Sequence, residues 1–78
     1  MPRDLAAVVQ RVIDIAQDED MQMQLRSFLR DLRYTAPESM QTRWMEFCDV
    51  VNQYIPYVTD VATLPPWQGD VIRALRDE

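Results

Sequence analysis

Cys48 is the single thiol of the chain, and no histidine accompanies it. A cysteine must ionise before it attacks, and acid–base catalysis near neutral pH most often relies on imidazole. Cys48 follows Trp44 by four residues and precedes Val51 by three, a spacing that sets it on the apolar stripe of a helix, where a thiol is an inert packing group. One Cys and no His provide neither a zinc ligand set nor an internal disulfide. The carboxylates of Asp18 and Asp20 could hold a hard cation, but their segment lacks the Gly and the distal Glu of a calcium loop. The expectation is a protein that is not an enzyme and takes no cofactor and no metal.

Charge offers more. Arg26, Arg30 and Arg33 recur at i, i+4 and i+7, a stripe able to grip phosphates or acidic side chains. The competing reading is a solvated flank paired with Asp31, its stems covering the edge of an apolar face. Ser39, Gln41, Thr42 and Arg43 open a helix after a short turn, where a helix-turn-helix protein carries its base-reading residues. Yet 13 acids against 8 bases give a net charge of −5, which argues against affinity for nucleic acid or anionic lipid and favours a basic protein partner. All eight bases are Arg, a bias that a GC-rich genome or a preference for bidentate contacts would produce.

The elements that must position these groups read as helices. Leu5, Val8, Val9, Val12, Ile13 and Ala16 hold a helical stripe over residues 3–17. Met21, Leu25, Phe28, Leu29 and Leu32 mark a second helix over 20–34, with the acids before it suited to its positive end. Thr35-Ala36-Pro37-Glu38 reads as a capping box. It opens a third helix over 36–55, with Met40, Trp44, Phe47, Cys48, Val51, Tyr54 and Ile55 on one face, until Pro56 interrupts it. Tyr57, Val58, Val61 and Leu64 fit either a short helix begun at Pro56, the favoured reading, or an irregular crossing, and a last helix over 66–76 completes the chain. No stretch alternates over a strand's length, and a single Gly leaves little for hairpin turns. The sequence therefore predicts one all-α domain spanning residues 1–78, a compact bundle of four to five helices.

A 9.2 kDa chain should expose about 5,000 Å² when folded and bury only roughly 60% of its unfolded surface. A core that small needs support, and packing across a homodimer is one source. Apolar residues outside the stripes point the same way. Met23 stands opposite Leu25, Met45 falls among Gln41, Asp49 and Asn52, and Val50 and Ile72 leave their stripes. A flexible methionine framed by polar groups has the form of a protein-contact anchor. No window approaches the ~20 apolar residues of a membrane span. Met1-Pro2-Arg3-Asp4 runs into the first helix without a signal-peptide core, which makes the cytoplasm the expected location.

The stretch from Met40 to Gln53 resembles a segment of the type I-E anti-CRISPR proteins of Pseudomonas phages. Met40, Trp44, Glu46, Cys48, Val51, Asn52 and Gln53 carry the resemblance. It implies a small cytoplasmic phage protein that blocks CRISPR-Cas immunity by binding the crRNA-guided surveillance complex or the nuclease it recruits. On that reading Asp18, Glu19 and Asp20 form an acidic edge toward a basic DNA channel, and Met45, Asp49 and Asn52 form a docking strip. Residues 1–39 depart from the family, so the target component stays open. Two other readings stand beside it: a dimeric helix-turn-helix regulator using Arg43 with Arg26, Arg30 and Arg33, and an antitoxin or immunity protein that neutralises a basic toxin.

Overall fold

Two helices start where an aspartate accepts a backbone N–H that has no helical partner, and another where a proline removes that donor. In the structure, a computed structural model that describes residues 2–56 and 60–77, helix α1 (Leu5–Ile15) begins with the Asp4 carboxylate accepting the Ala7 N–H at 3.1 Å. Helix α2 (Glu19–Leu32) begins with Asp18 accepting the Met21 N–H at 2.9 Å, and Glu19 and Asp20 lie in its first turn. There the helix dipole favours negative charge. Helix α4 (Pro66–Arg76) carries Pro66 at a position where the missing N–H costs nothing.

The capping box at Thr35 does not form. Its hydroxyl donates back to the Asp31 carbonyl at 3.2 Å and accepts from the Arg43 Nε at 3.1 Å, so it serves the end of α2. The backbone enters α3 (Met40–Tyr54) through a 3₁₀ turn over Pro37–Ser39. The helix predicted from residue 36 thus starts later. Elsewhere the predicted bounds 3–17, 20–34 and 66–76 shift by no more than two residues at either end.

Ile55 adopts an extended conformation (φ −119°, ψ 115°), as crowding by Pro56 demands. Of the short helix predicted for 56–64, residues 57–59 lie outside the described residues. The remainder holds a single 3₁₀ turn, Val61–Thr63, which Asp60 caps by accepting the Ala62 N–H at 2.9 Å. An extended Leu64 and the Pro65-Pro66 pair end it.

The described residues hold four α-helices and no strand, an all-α bundle. Helix α1 is its hub. It packs on α2 along one side, on α4 along another and touches α3, whereas α4 meets neither α2 nor α3. The hub's stripe supplies Leu5, Val8, Val9, Val12, Ile13 and Ala16 to the core. Met21 and Leu25 of α2, Phe47 of α3 and Val71 of α4 are fully covered. Phe47 anchors the α2–α3 contact, its ring centroid 6.0 Å from Phe28 and 5.8 Å from Trp44. The accessible surface, 5215 Å², matches the value expected from size.

Val50 and Ile72 are half-buried against this core, not exposed as their positions off the main stripes suggested. Val50 shares the α2-facing flank of α3 with Phe47 and Tyr54. Ile72 lies three residues after Gly69, on the side of α4 that the 3₁₀ turn covers, where the Val61 carbonyl stands 3.7 Å from the place of a Gly69 Cβ. A helix with neighbours on two sides buries more than one stripe.

Candidate functional site

The acidic edge is partly committed to internal work. Asp18 caps α2, and Asp20 accepts a hydrogen bond from the Tyr54 hydroxyl, which in turn accepts one from the Gln24 amide. Hydrogen bonding to Asp20 is the main reason the Tyr54 phenol is pushed up to about 12. Partial burial and the charges of Asp20 and Asp18 add to the rise, and Gln24 opposes it. Only Glu19 keeps a carboxylate without a hydrogen bond or ion pair among the described residues of this edge. Next to it, the Gln22 amide donates to the Ala16 carbonyl at 2.8 Å and the Ile13 carbonyl at 3.2 Å, closing the open end of α1. Nothing local in the sequence marks a Gln in the first turn of one helix as the cap of another.

Arg26, Arg30 and Arg33 are exposed on the flank of α2 turned away from α3. Arg30 makes one contact, Nη2 to Ser27 Oγ at 3.2 Å. None of the three has a carboxylate partner among the described residues, whereas Arg43 pairs with Glu46 at 3.0 Å, Arg73 with Asp70 at 2.7 Å and Arg11 with Asp77 at 3.7 Å. The expected pairing with Asp31 fails for a geometric reason: Asp31 shares its helix face with Asp20 and Gln24, the face that meets α3.

On α3, Met45 stands 60% exposed between Gln41, Asp49 and Asn52. These polar neighbours make no side-chain hydrogen bond or ion pair within the described chain. The strip lies on the side of α3 opposite Tyr54 and Phe47, so it and the arginine stripe occupy opposite flanks of the α2–α3 pair. Met23, at 66%, and Tyr34, at 84%, are the other large exposed apolar side chains among the described residues.

The residues of the helix-turn-helix reading are divided between two helices: Ser39, Gln41 and Thr42 are exposed at the start of α3, and the arginine stripe lies on α2. Arg43 is half-buried and engaged by Thr35 and Glu46, whereas Arg26 and Arg30 lie further back along α2 and Arg33 stands beside Met40. Cys48 is half-buried, not part of the fully covered core that its spacing predicted. Burial and then the Asp49 charge push its thiol up, which lowers the nucleophilic fraction.

One surface escaped sequence reasoning. The start of α1, the end of α2 and the start of α3 enclose a groove of about 400 Å³. Leu5, Leu29, Leu32 and Met40 floor it, and Arg3, Asp4 and Arg33 stand at its edge. Its residues come from three helices, and no short spacing joins them.

Among the described residues no three His, Cys, Asp or Glu side chains gather as metal ligands would, and no helix is long and apolar enough to cross a membrane. Comparison of the chain with protein-family models, with curated proteins and with solved structures finds no match in any of the three.

Proposed function

We propose that this chain is a non-enzymatic inhibitor that acts by occupying a protein surface, with a type I CRISPR-Cas effector as its target class. The observation that carries the reading is Met45. It is an apolar side chain 60% exposed in mid-helix, framed by Gln41, Asp49 and Asn52, whose polar groups have no internal employment. Such an arrangement supplies an anchor and a rim, the two parts from which most binding energy and specificity arise. The net charge of −5 speeds approach to a basic channel, while the apolar anchor sets residence time. The short resemblance over residues 40–53 falls on this same helix and names the target class. On this reading the chain works in the bacterial cytoplasm, without a cofactor.

The test is expression of the chain in a bacterium whose type I system restricts a matched phage, together with co-elution of the purified protein and the purified effector. Restored plaque formation and co-elution, both lost in Met45→Asp at unchanged helicity, are the expected results. Restriction that persists, with no complex on the column, would reject the proposal. A solution mass twice that of the monomer, with Met45 inside the dimer contact, would replace it with self-association.

A further inference from the structure

We infer that the groove between the N-terminus of α1 and the C-terminus of α2 is a second binding site, distinct from the Met45 strip, for an acidic peptide segment that carries one or two bulky apolar side chains. The groove's volume, about 400 Å³, falls at the small end of the range of ligand sites, which suits side chains and not a folded surface. Its floor is hydrocarbon from Leu5, Leu29, Leu32 and Met40.

The edge supplies the charge. Arg3 and Arg33 are exposed and without a carboxylate partner among the described residues, and Arg30 and Arg26 extend the cationic line along α2. Among the described lining residues the one acid, Asp4, already accepts the Ala7 N–H. A chain with an excess of acids thus leaves four guanidiniums on one flank without an ion pair among the described residues. Carboxylates that flank an apolar residue would meet these guanidiniums in bidentate geometry while that residue enters the groove.

Other occupants fit less well. Two copies laid stripe to stripe would repel, since each contributes Arg26, Arg30 and Arg33 against the single Glu19 on the same face. The chain's own acidic turn cannot enter a neighbour's groove, because Asp18 and Asp20 are engaged and Met21 is 0% exposed. Nucleic acid would satisfy the arginines but leave the hydrocarbon floor unused.

The experiment uses the full chain labelled with ¹⁵N and three probes. One is a short Asp/Glu peptide with a central Leu-Phe pair, one is the same peptide with Ser-Ser at its centre, and one is a single-stranded DNA of equal charge. The Leu-Phe peptide should shift the amides of Leu5, Leu29, Arg33 and Met40. It should bind about tenfold tighter than the Ser-Ser peptide and the DNA. The double variant Arg3→Gln/Arg33→Gln, both positions exposed and outside the core, should lose that binding with its circular dichroism unchanged. Met45→Asp should bind as the parent does, which separates this site from the one in the proposed function. Equal binding of all three probes would reduce the flank to a non-specific anion surface and overturn the inference. So would shifts confined to α3, or no binding of the Leu-Phe peptide at about 1 mM.

Discussion

The Tyr54 hydroxyl, at the last turn of α3, donates its hydrogen bond to Asp20 in the first turn of α2. The bond pins the end of one helix to the start of its neighbour. Since a phenolate could not donate, the contact favours the protonated form. The folded-state pKa, about 12, lies above the ordinary value near 10. A group raised on folding stabilises fully below its unfolded pKa and loses that contribution as pH climbs to the folded one. Stability should therefore fall between about pH 10 and 12. Phenolate absorbance during a base titration should show one late tyrosine, and Asp20→Asn should move that step to lower pH.

Phe47 should be the most costly single truncation. It is fully covered, stacked on Phe28 and tilted against Trp44. Phe47→Ala should cost about 3–5 kcal/mol, comparable to the entire stability of so small a bundle. Thermal melting followed by circular dichroism should show loss of the cooperative transition.

Gln22→Ala should cost about 1 kcal/mol, because the Ala16 and Ile13 carbonyls lose the amide that caps them. Urea denaturation should register the loss as a lower midpoint at unchanged slope. A midpoint equal to that of the parent would mean that water caps α1 equally well.

Gly69→Ala should stabilise. The glycine lies inside α4 at a negative φ, and a Cβ there would meet its nearest atoms, the Arg73 guanidinium and the Val61 carbonyl, at 3.6–3.7 Å, ordinary contact distances. With no strain to offset the gain in helix propensity, the substitution should add about 0.5–1 kcal/mol, measured by the same urea titration.

Cys48 should react slowly. Burial and the Asp49 charge raise its pKa, so at about pH 8 it carries less thiolate than a free cysteine. Alkylation of the folded chain should run slower than that of the chain in denaturant, and Asp49→Asn should recover a fraction of the difference.

The helices were legible because their apolar residues repeat with the helix period. The stripe from Leu5 to Ala16 is the very set α1 buries, and the exposure of Met23 and Met45 reflects the same periodicity. The start of α3 misread for a local reason: Thr35 had two possible tasks, and the contact with Arg43, eight residues on, decided between them. The Tyr54–Asp20 bond spans 34 residues and the groove draws on three helices. Periodicity assigns each residue a side of its own helix, but it does not say which helices become neighbours, and so neither feature could be read in advance.

Because α4 touches α1 and the 3₁₀ turn before it but neither α2 nor α3, the bundle has a seam. Detaching α4 would wet one side of α1 and leave intact every hydrogen bond between the other helices. Amide protons of α4 can thus exchange through a partial opening that keeps those of α2 and α3 protected. Both candidate surfaces, the groove and the Met45 strip, belong to the portion that would stay closed.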